Sequence, residues 1–435
     1  VLLARMVRWG FYRRVEVVGL DNVPERGPIL VVANHYNGLV DAALVIATLG
    51  RLPRFVAKAT LGDNPLVGWL MRTLGVVFVR RPEDGAVGND AMFSDTSAAL
   101  VAGSTVAIFP EGRTHDQPTL SRIRTGAARM AIMAQAGIDA SEAVPTSVQI
   151  LPVGVTYHDK IAVRSSALVA IGEPLTIGDL DSSLGSGGRP DLVVDGEPRR
   201  ELVDDLTAAI GDRLRSVSPD YDGDGIEWAS ASLAATIYLR TRGEMSPPFD
   251  ARDRIVRRIR GLEPAARRAV LEEGCRYTLA LDATGPDDEL VLEGAAITRP
   301  IRPLALAALA ATVLAPLATF GLLVNAAPAV ATVASGLLTT KPFMKGTFRA
   351  LVAIVAFPLA WGIAAAIITD PLHLQLGVVA LAIAGGIVVL IGVQSAIQGA
   401  EALIDIRRAW ERSVPLGELR DRREAMVDAV TAALR

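Results

Sequence analysis

Asn34-His35-Tyr36-Asn37-Gly38-Leu39-Val40-Asp41 follows the unbroken apolar run Ile29-Leu30-Val31-Val32-Ala33 and precedes Ala42-Ala43-Leu44-Val45-Ile46-Ala47. A short apolar run followed by an Asn/Gly turn and a longer apolar stretch reads as a buried strand handing over to a helix. The strand ends at a histidine and the helix opens with an aspartate. Strand-to-helix junctions are where α/β proteins present reactive side chains. A neutral imidazole takes a proton from a hydroxyl near neutral pH, and a carboxylate on its other nitrogen fixes the tautomer and stabilises the imidazolium. Two readings stand at this point: His35 is a general base oriented by Asp41, or Asp41 caps the helix beside a satisfied strand-end histidine.

Outward from this stretch, short apolar runs alternate with helical patterns. Residues 15–19, 54–58, 75–81, 105–109 and 150–157 read as further strands, residues 167–175 as a strand with a turn, and residues 200–217 as a helix. Strands alternating with helices predict an α/β fold, a largely parallel sheet covered by helices. The strand ends carry His35 with Asp41, then Lys58, Arg80, and Glu111 with Arg113 in the turn Pro110-Glu111-Gly112-Arg113-Thr114-His115. Guanidinium and ammonium groups beside a glycine-bearing turn suit phosphate, which they meet in charge-assisted hydrogen bonds. Any one of these charges alone reads first as a solvated strand end; their repetition is the signal.

Four blocks now stand in order: Asn34-His35 to Asp41, Phe78-Val79-Arg80, Phe109-Pro110-Glu111-Gly112-Arg113-Thr114 and Leu151-Pro152-Val153-Gly154. Together they resemble the glycerol-phosphate acyltransferase superfamily, the PlsC-like enzymes, over roughly residues 10–215. Five residues, Tyr36 to Val40, separate His35 from Asp41 here, one more than the common family pattern. That spacing is similar to a branch that includes glycerol-3-phosphate and dihydroxyacetone-phosphate acyltransferases and tends to carry a membrane region after the catalytic domain. The resemblance implies that His35 deprotonates an acceptor hydroxyl, which attacks the thioester of an acyl-CoA or acyl carrier protein, with Asp41 orienting His35. It implies that Arg80, Glu111 and Gly112 bind a glycerol-phosphate or lysophosphatidate acceptor, with Lys58, Arg113 and Thr114 beside them. No cofactor other than the thioester substrate is expected.

Composition bounds the alternatives. A formal net charge of -3 gives no basic footprint for nucleic acid. The single cysteine, Cys275, excludes an internal disulfide framework, and four histidines leave little for a metal site, so none is expected. No Gly-x-Ser-x-Gly elbow points to a serine hydrolase. A non-catalytic lipid-binding scaffold remains as the reading from another class, although a scaffold has no need of His35, Asp41, Arg80 and Glu111 together.

The N-terminal 14 residues mix apolar side chains with arginines and read as an amphipathic or packing helix, not a signal peptide. Asp220 to Gly225 resembles the opening of a calcium loop, but its twelfth position is Ala231 and an acidic turn is the better reading. Residues 226–281 are helical and arginine-dense. From 304 to 340 no charged residue occurs, which predicts a span over 304–324, a break at 325–328 and a short return over 329–340. Residues 351–369 and 374–396 read as a second pair joined at Asp370-Pro371. With the basic residues all flanking these pairs, an even number of crossings keeps them on one side. The organisation expected is therefore an acyltransferase domain over 1–217, a helical connecting segment over 218–300, a membrane region over 301–400 and an amphipathic helix over 401–435. A multi-pass protein of the cell membrane follows, among membrane lipids, with its catalytic domain on the cytoplasmic face.

Overall fold

The computed structural model describes residues 2–58, 76–79, 90–115, 117, 119–141, 146–158, 160, 165–181, 192–218, 226–244, 247–284, 288–293, 298–312, 314–411 and 416–435. Arg80, the 220–225 turn and parts of the 75–81 strand lie outside these residues. The chain divides into two compact units, Val1–Asp224 and Gly225–Arg435.

The first unit is built on seven strands: β1 (Tyr12–Val18), β2 (Ile29–Ala33), β3 (Arg54–Lys58), β4 (Val77–Val79), β5 (Thr105–Ile108), β6 (Gln149–Tyr157) and β7 (Ser165–Ile171). They lie in the order β1-β7-β6-β2-β5-β3-β4. Every pairing is parallel except β6 with β7. The expected largely parallel sheet is what forms. All five residues of β2 are buried, as an inner parallel strand covered on both faces requires.

Five helices of this unit bear on the sheet and the site: α1 (Leu2–Phe11), α2 (Leu39–Leu49), α3 (Asp90–Val101), α4 (Gly126–Asp139) and α5 (Arg200–Val217). Leu30 and Val32 of β2 join Val106, Ile150, Met130, Ile132, Leu206 and Ile210 in one apolar cluster. Ala127, Ala128, Ala131 and Ala134 are fully buried in α4, so small side chains let this helix lie close to the strands. Each fully buried Leu or Ile of such a core contributes about 1.5–3 kcal/mol. The inner strands end at one edge of the sheet, and that edge positions the site.

The second unit is helical: α6 (Ile226–Thr241), α7 (Phe249–Arg260), α8 (Pro264–Thr284), α9 (Asp288–Glu293), α10 (Thr298–Thr312), α11 (Ala315–Ser335), α12 (Pro342–Ile368), α13 (Leu372–Glu411) and α14 (Leu416–Leu434). Buried Asp288 ties α6, α8 and α14 together, accepting from Arg240 at 2.6 Å, Tyr277 at 3.0 Å and Arg423 at 2.9 Å. Among the described residues three segments are long and apolar enough to cross a membrane: Ala315–Leu338, Met344–Ile368 and Leu372–Ile397. This corrects the expected break at 325–328. The chain breaks instead before α11, where Pro316 lies at the helix start, and α11 runs through Pro328.

The physical reason is that Asn325 bonds across the bundle instead of making a turn. Its amide Nδ2 donates to the carbonyls of Gly321 and Ala382, both at 2.8 Å, and Trp361 Nε1 donates to its Oδ1 at 2.8 Å. One side chain thus joins α11, α12 and α13. At the crossing of α11 and α13, Gly321 and Gly385 meet backbone to backbone, and a Cβ on either would collide with the other helix. Small residues at close helix crossings are the usual packing device within membranes.

Candidate active site

Asn34 sets the geometry. Its Nδ2 donates to Val155 O at 2.8 Å and its Oδ1 accepts from Val155 N–H at 2.6 Å. The side-chain amide thereby extends the β2–β6 ladder beyond the Ala33–Val153 pair, which lets the main chain turn away from the sheet at His35. The chain passes through Gly38 into α2, whose first turn carries Asp41.

His35 Nδ1 lies 2.9 Å from Asp41 Oδ2. The longer spacing between the two residues therefore does not prevent pairing, because the turn folds back before the helix begins. Asp41 is fully buried. Its Oδ2 also accepts from Asn37 N–H at 2.7 Å, and its Oδ1 accepts from the Tyr157 hydroxyl. The ring of His35 stacks on Phe109 with 4.0 Å between centroids and 12° between planes, and its side chain keeps 18% exposure. With Nδ1–H donated to the carboxylate, Nε2 is the ring nitrogen left able to take a proton.

The turn after β5 lies against this pair. Glu111 is 1% exposed. Its Oε1 accepts the His35 main-chain N–H at 2.8 Å, while its Oε2 meets His115 Nε2 at 2.5 Å and accepts Ser121 N–H at 2.7 Å. The resemblance assigns Glu111 to the acceptor; in the structure its carboxylate points inward and braces the loop that carries His35. Gly112 has φ of 67°, a left-handed conformation that suits glycine, and a Cβ there would press on the Arg124 side chain.

Arg113 is exposed and donates to Ser121 Oγ at 3.2 Å, and Thr114 follows it, half-buried. Lys58 ends β3, paired in register with Val79 of β4, and Arg80 lies outside the described residues. A cleft of about 490 Å³ is lined by Glu111, Arg113, Ser121, Arg122, Arg124 and Thr125. Three guanidinium-bearing residues suit an anionic, phosphate-bearing molecule. Among the described residues no cluster of His, Cys, Asp and Glu has the makings of a metal site.

The sequence reading gave no role to Tyr157, His115, Ser121, Arg122 or Arg124. Tyr157 ends β6, and only the strand order, which sets β6 beside β2, brings it to Asp41. Arg122 and Arg124 belong to a loop whose return to Pro110, by Arg124 N–H donating to Pro110 O at 2.9 Å, has no local sequence signal.

A histidine paired with a buried carboxylate at the carboxyl edge of a parallel sheet, close to a cationic cleft, is an arrangement that can activate a hydroxyl group. Residues 14–156 match the protein-family model described as Acyltransferase. An uncharacterised acyltransferase of Schizosaccharomyces pombe is 24% identical over 49% of this chain and 43% of its own. Glycerol-3-phosphate O-acyltransferase 2 of Saccharomyces cerevisiae is 34% identical over 35% of this chain and 19% of its own. The lyso-ornithine lipid O-acyltransferase of Rhizobium meliloti is 30% identical over 36% of this chain and 46% of its own. The chain spans less than half the length of each of these relatives.

Proposed function

We propose that this protein is a membrane-bound O-acyltransferase that moves a fatty acyl group from an acyl thioester, acyl-CoA or acyl carrier protein, to the hydroxyl of glycerol-3-phosphate in phospholipid synthesis. The observation that carries the reading is the His35–Asp41 pair at 2.9 Å beside the arginine-lined cleft. His35 Nε2 takes the acceptor's hydroxyl proton as the oxygen attacks the thioester carbonyl. The tetrahedral intermediate then collapses to an ester, and the departing thiolate recovers the proton from the imidazolium. Asp41 stabilises that transient cation. The reaction draws on the thioester itself, and no further cofactor is assigned.

The spacing of His35 and Asp41 and the following apolar helices support the glycerol-3-phosphate step. Lysophosphatidate offers the same phosphate to the cleft and is the alternative acceptor. In the second unit the basic residues gather at one end of the bundle. Lys341, Lys345 and Arg349 stand at the start of α12, and α12 and α13 run back to back through the Thr369–Pro371 turn. Leu304 in the middle of α10 lies against Gly399, towards the end of α13 that carries Arg407 and Arg408. We assign this end, with the catalytic domain, to the cytoplasmic face.

Membranes carrying the protein, supplied with labelled acyl-CoA or acyl carrier protein, test the reading against glycerol-3-phosphate, lysophosphatidate and lyso-ornithine lipid. Acyl transfer to glycerol-3-phosphate, lost in His35→Ala with the fold retained, is the expected result. Transfer to no acceptor favours the scaffold reading, and wild-type turnover in His35→Ala removes the assigned base.

A further inference from the structure

We propose that Tyr157 is a positioning residue of the reaction, holding the Asp41 carboxylate in the one orientation that serves His35. The inference rests on the acyl-transfer reading of the same site. Asp41 is fully buried, and a buried carboxylate stays in place only when its oxygens are hydrogen-bonded. Oδ2 is shared by His35 Nδ1 and Asn37 N–H, both from the turn that leads into Asp41's own helix. Tyr157 comes from a different element, the far end of β6, and its hydroxyl donates to Oδ1. It fixes the rotation of the carboxylate about its own axis, which the local turn by itself does not.

Tyr157 is itself held. Its ring stacks on Tyr12 of β1 with centroids 5.7 Å apart, and Asn37 Nδ2 reaches the Tyr12 hydroxyl at 3.4 Å. Asn37 thus grips Asp41 with its main chain and Tyr12 with its side chain, closing a circuit of Asp41, Tyr157, Tyr12 and Asn37 around the dyad. Burial, and then the negative charge of Asp41, push the Tyr157 phenol well above its usual range. It therefore remains an O–H donor throughout any working pH. Among the described residues Tyr157 reaches His35 through Asp41.

The test is a double-mutant cycle on the full-length protein with Tyr157→Phe, which keeps the ring and its stack on Tyr12. The single variant is expected to lower kcat about ten- to hundredfold, the cost of losing one hydrogen bond to a charged group, with both KM values within about twofold of wild type. In an Asp41→Ala background the same change is expected to cost nothing further, because the carboxylate it holds is already gone. Wild-type kcat in Tyr157→Phe, or a loss that persists undiminished in the Asp41→Ala background, overturns the proposal.

A second readout does not need turnover. In protein labelled with ¹⁵N-histidine, the downfield Nδ1–H resonance assigned by its absence in His35→Ala should broaden or move in Tyr157→Phe. An unchanged resonance overturns the proposal even if no acceptor is acylated. Absence of transfer by the wild-type protein with the resonance shifted as expected would instead sink the proposed reaction and leave the positioning role standing.

Discussion

Glu111 and Arg113 are two positions apart in the same turn, yet they are held by opposite physics. Glu111 is 1% exposed and accepts from His35 N–H and Ser121 N–H while meeting His115; Arg113 lies in solvent on the rim of the cleft. In Glu111→Gln one oxygen becomes an NH2 group that cannot accept from Ser121 N–H. Leaving that donor unpaired should cost about 1–3 kcal/mol of stability, read as a lower thermal midpoint, with kcat reduced because the turn that braces the His35 main chain is itself held less firmly. Arg113→Ala should leave the midpoint alone and raise KM for the phosphate-bearing acceptor about tenfold, the lower range for a charge-assisted contact. A Glu111 variant that raises only the acceptor KM would make it a ligand after all. The His35–Asp41 pair was legible because both residues lie within one turn of chain. The inward turn of Glu111 was not, because its partners His35 and Ser121 come together only through the β2–β5 pairing.

Among elements, the inner strands could be read closely because parallel strands covered on both faces must be continuous apolar runs. The reading of β2 at 29–33 and of α5 at 200–217 coincides with the elements that form. The 325–328 break failed for the complementary reason. Asn favours a turn when its side-chain amide has no better partner, and here Gly321, Ala382 and Trp361 supply partners to Asn325. Asn325→Leu should therefore weaken the bundle by about 0.6–1.7 kcal/mol, measured as faster unfolding in detergent; an unchanged rate would mean the three bonds contribute nothing. The bundle's polarity gives a second expectation at this scale. With Cys275 replaced by serine, Asp370→Cys should react with a membrane-impermeant maleimide added outside intact cells, and Lys345→Cys should not. The reverse pattern would place the basic end outside.

Across the whole molecule, each unit buries a phenol against a carboxylate. Tyr157 in the first unit is held above its usual 10.0 by burial and then by Asp41, and Tyr277 in the second by burial and then by Asp288. The sign follows from proton binding. Above about pH 10 an unfolded chain releases the phenolic proton while the folded chain retains it, so the unfolded state binds fewer protons and stability falls as pH rises. Below that value both states are protonated and the contribution is fully present. Each phenol should then cost its own unit up to about 1.4 kcal/mol for each pH unit above 10. Thermal unfolding followed from about pH 8 to about pH 11 should show midpoints that are level at first and then decline. Tyr157→Phe should flatten the decline in the transition of the first unit, and Tyr277→Phe in that of the second, each leaving the other unit's transition unaffected. A decline that survives both substitutions unchanged would locate the alkaline sensitivity in groups other than these two phenols.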